Sequence, residues 1–308
     1  MLGRRHIRLK VMQSLYAYFI YNDCVKSSEK KLLTSLKEVS DLYFVVYSLL
    51  IQLIKYADSF FEDSKKKHLP TKEDLNPRKR FINNLVIKNI LKNKKLNEKC
   101  DNFKYIWKNN DHRVIDKLFS SIYKSDHYKK YVSNEDLSVN IDKRFFSNLL
   151  NQYILNNKLV VHILEEKSIF WVDDLPFIAA IVIGEIKSND HINFKNIFKD
   201  KSDEKFAIQL LIDTINNTYI YDEIIEKHSE NWDLDRIAFM DKLFLKMAFT
   251  ELLYMHSLPI KVTLNEYIEI SKYYSTKNSK VFINGILDKI VSQFKRDGKI
   301  KKTGRGLV

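Results

Sequence analysis

"DKLFLKMAFTELLYMHSLPIKVTLNEYIEISKYYSTKNSKVFINGILDKI", residues 241–290, is the stretch whose periodicity decides the fold. An apolar-rich helix is expected near 235–256, and Pro259 follows it and ends it. In "TLNE", Thr263 stands three residues before Glu266, the spacing of a capping box that opens the next helix. "STKNS" at 275–279 reads as a loop, with Asn278 or Ser279 capping a final helix. That helix places Phe282, Ile283, Ile286, Leu287, Ile290, Val291 and Phe294 at three-four spacing, one apolar face of an α-helix. Gly285 interrupts it at a cost of about 1 kcal/mol relative to Ala. A glycine there points to close packing against the backbone.

Composition carries the same message along all 308 residues. Only 6 Gly and 4 Pro interrupt the chain, and 45% of its residues are hydrophobic. So few breakers among so many Lys, Leu and Ile predict an all-α protein. The net charge of +13 and a pI near 9.3 fit an acidic partner, above all nucleic acid. An AT-rich genome, which favours Lys, Asn and Ile, accounts for such a charge equally well, so its placement matters more than its total.

Towards the N-terminus, "RRHIRLKVMQSLYAYFI" (4–20) predicts a first helix over about 4–21. Arg4, Arg5, Arg8 and Lys10 crowd its first turns, and no acid precedes Asp23. The helix dipole favours anions at that end, so something other than helix stability asks for these cations. A second helical stretch, "SEKKLLTSLKEV", precedes a long helix over about 41–62. Between Glu62 and Lys104 there are 13 Lys or Arg against 6 Asp or Glu, with Pro70 and Pro77 among them. That stretch reads as a solvated, partly mobile connector before it reads as a second nucleic-acid surface. Residues 105–140 have a weak helical pattern. Further on, 145–171 aligns without gaps to 206–232 with nine of 27 positions identical, including Phe145/Phe206, Leu149/Leu210, Leu150/Leu211, Glu165/Glu226 and Trp171/Trp232. A duplicated helical unit accounts for the echo. The basic tail 299–308, broken by Gly304 and Gly306, reads as flexible.

Several chemistries have no residues to carry them. No glycine lies in a GxGxxG or P-loop context, no HExxH occurs, and Asp173–Asp174 are sequence neighbours that do not share a helix face. No cofactor is implied, and no catalytic or metal-binding residue is assigned. Cys24 and Cys100 are isolated thiols that suit a reducing, cytoplasmic setting. The richest apolar run, 42–54, is too short to span a bilayer, so no membrane partner is expected.

"RRHIRLKVMQSLYAY" resembles the opening helix of the NusB family of transcription antitermination factors, including its Gln13, Leu15 and Tyr16 step. The stretch 241–290 is similar to the family's closing run, with Asn265–Glu266 and Phe282–Ile283–Asn284–Gly285–Ile286–Leu287–Asp288 in the same order and spacing. The resemblance covers residues 1–22 and 203–292. It departs in the middle, where the family has a few dozen residues. The longer form looks like that of the Bacteroidetes lineage. The organisation implied is an arginine-rich first helix (1–22), a helical insertion (23–200), the C-terminal helices of the module (201–298) and the tail.

The resemblance implies an all-α bundle that binds single-stranded RNA of the boxA type, together with the small-subunit ribosomal protein NusE, in the transcription elongation complex. It assigns Arg4, Arg5, Arg8 and, in the same run, Lys10 to RNA, with Lys277, Lys280 and Phe282 around the last loop. Tyr16 and Asp241 fall at the partner interface. His6 stands where relatives often carry a further basic residue, and Asn278 where they often carry an acid. Guanidinium groups suit this ligand, because they grip phosphates bidentately and stack on unpaired bases. Arg4 and Arg8 share a side of the helix with Arg5 about 100° round, which predicts one cationic patch. Phe282 could stack on a base or belong to the apolar face of the last helix. Two other readings are a helical scaffold whose middle binds a protein partner and an RNA-modifying enzyme. The lack of a glycine-rich cofactor loop and a chain that stops soon after the module argue against the enzyme.

Overall fold

A computed structural model describes residues 3–108, 113–188, 201–229 and 237–303, and all regular structure among them is helical. α1 (Arg4–Tyr21) and α2 (Val25–Lys65) open the chain. The short helices α3 (Lys72–Leu75), α4 (Arg80–Asn83), α5 (Leu85–Lys92) and α6 (Lys94–Asp101) follow, then a 3-10 turn at Lys104–Trp107. α7 (Val114–Lys124), α8 (Asp126–Ser133) and α9 (Val139–Leu149) lead through a π-helical turn, Leu150–Leu155, into α10 (Lys158–Lys167) and α11 (Trp171–Ser188). The last helices are α12 (Lys201–Asn216), α13 (Thr218–His228), α14 (Phe239–Tyr254), α15 (Ile260–Tyr274) and α16 (Ser279–Arg296). The chain forms two compact units, one of Lys37–Ile197 and one of Leu2–Leu36 with Phe198–Val308.

α14 is the axis of the second unit. Leu243, Phe244, Leu245, Met247, Ala248, Phe249 and Leu252 are all buried, as are Asp241, Lys246, Thr250 and Glu251, so the helix is buried around its circumference. A helix of that kind must be surrounded. α1, α12, α13, α15 and α16 pack against it. The two helices after it enclose the rest of the core through Tyr267, Ile270, Phe282, Ile283, Ile286, Leu287, Ile290 and Phe294.

The first unit is organised by α2 and by a nest of aromatic rings. Phe81 stacks on Phe146 at 5.7 Å and meets Phe145, Phe119 and Tyr128 at 6.0, 6.0 and 5.7 Å. Tyr131 lies flat on Phe145 at 3.9 Å. Arg80 covers Tyr131 at 4.6 Å and pairs with the buried Asp142 at 3.0 Å, which also accepts from the Tyr131 hydroxyl at 2.9 Å. Elsewhere in this unit, Tyr43 and Tyr47 both donate to Glu185, at 2.7 and 2.8 Å.

Four local expectations are corrected. The stretch from 25 to 65 is one helix, because no Gly or Pro stands within it to divide it. α2 is therefore long and apolar enough to cross a bilayer by length and composition, but 67% of its most apolar window is buried. α15 begins at Ile260 with Pro259 as its N-cap, so Thr263 and Glu266 lie a turn inside it and form no capping box. Gly285 has no atom within 4 Å of the place a Cβ would occupy, so close packing does not explain it. The tail is not free from 299 onward. Gly298, at φ +63°, turns the chain after α16, and Lys302 Nζ then donates to the carbonyls of Glu251 and Met255 at 2.8 and 3.0 Å. Gly304 and Gly306 lie outside the described residues.

The internal echo has a structural counterpart. Phe145, Leu149 and Leu150 are buried, as are the matched Phe206, Leu210 and Leu211. The helical run ends before Asn156 in one copy and before its partner Asn217 in the other, and the next helices end at the matched Lys167 and His228. Trp232 lies outside the described residues.

Phe81→Ala removes the centre of the aromatic nest. It should lower the unfolding free energy of the first unit by about 3–5 kcal/mol, measured by urea titration.

Candidate nucleic-acid interface

The arginines of α1 part company along one turn of helix. Arg8 falls on the inner face with Ile7, Val11, Met12 and Leu15, and is 1% exposed. Its Nε and Nη2 donate to the two oxygens of Glu251 at 2.6 and 2.9 Å. Glu251 is fully buried in α14 and also accepts from Thr263 Oγ1 at 3.0 Å and from Tyr267 OH at 2.7 Å. Burial alone would lower the Arg8 pKa. The Glu251 hydrogen bonds and charge outweigh it and hold the guanidinium above its ordinary value. Burial, then the Glu251 charge, raises the Tyr267 hydroxyl far above its own. Both groups therefore keep their protons, and the buried charges are matched with hydrogen bonds on both sides.

Arg5 is half-exposed and grips Glu266 of α15 bidentately, at 2.8 and 2.9 Å. Arg4 is exposed, with its guanidinium over the ring of Phe206 in α12 at 5.1 Å, and Arg8 approaches the same ring at 5.5 Å. The patch expected of three arginines is thus corrected. Arg8 is a structural buttress, Arg5 is shared with a carboxylate, and Arg4 alone keeps its charge free of any ion pair among the described residues. Lys10 is also buried, at 1% exposed, with its Nζ on Gln13 at 3.3 Å.

The loop before α16 and the first turn of that helix supply the other cations. Lys277 and Lys280 are exposed and form no ion pair among the described residues. Glu269 links this edge to α1. The Lys272 hydrogen bond, followed by the charges of Lys272, Arg5 and Lys280, lowers its carboxyl pKa. Arg5 and Lys280 thus both act on the Glu269 carboxylate. Phe282 is 4% exposed. It is a core residue of α16, and base stacking by its ring is corrected accordingly.

The expected partner residues also divide. Tyr16 is 43% exposed and meets Phe239 edge-on at 5.6 Å, beside Phe19 and the exposed Ile20. Asp241 is buried. Its two oxygens accept from Ser275 and Ser279 at 2.5 and 2.8 Å, which ties the loop 275–279 to the start of α14. Asp241 shapes the lysine-bearing loop from beneath, with both carboxylate oxygens taken up by its serines.

Glu251, Tyr267 and Phe239 are absent from the sequence reading, in which Thr263 figures only as a helix cap and Phe206 only in the internal echo. One signal was available for the first. Glu251 interrupts the apolar run "FLKMAFTELLYM", and a carboxylate buried there requires a cation.

The NusB family model matches residues 177–292. Transcription antitermination protein NusB of Salinibacter ruber is 46% identical over 110 residues, covering 36% of this chain and 69% of that protein. The NusB proteins of Chloroherpeton thalassium and Thermodesulfovibrio yellowstonii are 40% and 44% identical, covering 37% and 32% of this chain and 54% and 66% of theirs. No solved structure matches the chain.

Two measurements check this division of labour. Arg8→Ala strands a buried carboxylate and should cost about 3–5 kcal/mol of stability, whereas Arg4→Ala should stay within about 0.5 kcal/mol of wild type. Burial pushes the Lys302 amine down to about 8 from 10.5. Between those pH values the unfolded chain binds more protons than the folded one, so this group adds stability as pH rises. Wild type should gain on Lys302→Met as pH climbs from 8 to 10.5, read as the difference between their melting curves.

Proposed function

The chain belongs to the NusB family of transcription antitermination proteins, and on that premise we propose that it binds boxA-type single-stranded RNA as a non-catalytic factor in the bacterial cytoplasm. The observation that carries the reading is a pair of exposed cationic segments, the start of α1 and the turn from the 275–279 loop into α16. There Arg4, Lys277 and Lys280 stand exposed without ion pairs, on backbone held by Arg8–Glu251 beneath one side and Asp241 beneath the other. Unneutralised cations on rigid backbone attract phosphate at little ordering cost. Arg5 can exchange Glu266 for a phosphate, since its own side chain is half in solvent. An exposed pair of that kind holds only about 0–1 kcal/mol.

The partner is NusE, within the elongation complex. Tyr16, Ile20 and Phe239 offer an exposed apolar and aromatic group on the opposite stretch of α1. Aromatic side chains of this kind anchor interfaces. RNA and protein then occupy different turns of one helix, so each can be disturbed without the other.

Fluorescence anisotropy with a short boxA-like strand tests both halves. The Arg4/Lys277/Lys280→Glu variant should bind far more weakly, and the slope of log affinity against log salt should fall by about 2, at roughly 0.7 per phosphate lost. Phe239→Ala should leave RNA binding by the isolated chain intact and abolish the strengthening caused by added NusE. A triple variant that binds as wild type does would overturn the assignment of these segments.

A further inference from the structure

The 13 cations between Glu62 and Lys104 fall into two groups. Up to Arg80 they are largely matched. Lys65 and Lys79 hold Glu62 at 3.1 and 2.6 Å, Lys66 holds Asp63 at 3.2 Å, Lys67 holds Asp74 at 2.7 Å and Arg80 holds Asp142 at 3.0 Å. From Lys88 to Lys99 the matching stops. Lys88, Lys92, Lys94 and Lys95 are all exposed, and among the described residues none forms an ion pair.

These four lysines do not sit on a loose connector. Asn84 caps α5 by accepting from Ile87 N at 3.0 Å, and Asn93 caps α6 by accepting from Leu96 N at 3.1 Å. Asn97 Nδ2 lies 2.9 and 2.8 Å from the carbonyls of Ile90 and Asn93 and closes the corner between the helices. The inner faces bury Val86, Ile87, Ile90, Leu96 and Cys100. The outer faces set Lys88 and Lys92 one turn apart on α5, and Lys95 and Lys99 one turn apart on α6. Like charges at that spacing destabilise a helix. The acids nearest in sequence do little to relieve them, since Asp101 is held by Lys104 at 3.7 Å and only Glu98 is left. Just past α6, Tyr105 stands 60% exposed between Lys104 and Lys108.

We propose that the α5–α6 corner is a second RNA surface, on which Lys88, Lys92, Lys94 and Lys95 hold the phosphates of a single strand and Tyr105 stacks on an unpaired base. It takes its ligand class from the function proposed above and adds a contact that reads no sequence. Lysines on a fixed corner, with an exposed aromatic ring following them in the chain, are the components of sequence-tolerant single-strand binding. The ring favours an unpaired strand, because a duplex keeps its bases stacked within it.

The test uses the full chain and a uridine-only single strand with no boxA element, titrated with salt. Lys88/Lys92/Lys94/Lys95→Ala should lower the salt slope by about 2.8, four phosphates at roughly 0.7 each, with an unchanged melting temperature. Lys65/Lys66/Lys67→Ala, which removes cations that are already paired, should leave the slope as it is. Tyr105→Ala should weaken binding about tenfold without altering the slope. An unchanged slope in the quadruple variant overturns the proposal, even where the Arg4/Lys277/Lys280→Glu variant still loses boxA RNA and the proposed function stands. The converse result, loss only in the quadruple variant, sinks the α1 edge and keeps this corner. Displacement of the strand by polyglutamate at equal charge would mark a surface for acidic protein and would also overturn the proposal.

Discussion

One buried ion pair ties the start of the chain to its far end. Glu251 lies in a helix buried around its circumference, where an unmatched carboxylate would cost several kcal/mol. Arg8, 243 residues earlier in the chain, donates from Nε and Nη2 to its two oxygens, and Thr263 and Tyr267 complete the remaining acceptor positions. The pair is a weak source of net stability, because desolvation consumes most of its attraction. What it provides is register. α1 can meet α14 in only one rotation and one translation, and that placement turns Arg4 outward and brings Arg5 to Glu266.

The same logic runs through the rest of the charge distribution. A formal charge of +13 suggests a uniformly cationic molecule, yet cations serve very different ends in it. Some are structural, such as Arg8 beneath α1 and Arg80 over Tyr131. Others are quenched by carboxylates one turn away, as at Lys65 and Lys66. The remainder stand exposed without an ion pair along much of the chain, Lys30, Lys55, Lys117, Lys227 and Lys289 among them, and two groups of these bear on binding: Arg4 with Lys277 and Lys280, and the lysines of the α5–α6 corner.

Much of the fold was legible because it depends on local rules. The scarcity of Gly and Pro, the three-four spacing of Phe282 to Phe294 and the stop at Pro259 all survive into α14–α16. The site was less legible, because its decisive facts are long-range. Spacing puts Arg4 and Arg8 on one side of α1, and nothing local says that Arg8 is buried against α14 while Arg4 stays exposed over Phe206. The TLNE spacing fits a capping box, yet Pro259 starts the helix a turn earlier and frees Thr263 for Glu251. Asp241 and Phe282 hold family positions whose chemistry suggests contact with ligands, and burial assigns them to the frame beneath the loop. The basic stretch after Glu62 looked uniform in sequence, and only the folded arrangement of carboxylates divided it.

A double-mutant cycle between Arg8 and Glu251 is the most direct measurement. Arg8→Met, Glu251→Leu and the double variant would be unfolded in urea and their free energies compared. A buttressing pair predicts that each single change is strongly destabilising and that the double variant recovers much of the loss, with a coupling of about 2–3 kcal/mol. Additive effects, or an Arg8→Met variant as stable as wild type that has nevertheless lost RNA binding, would show Arg8 to be a surface contact and contradict the account.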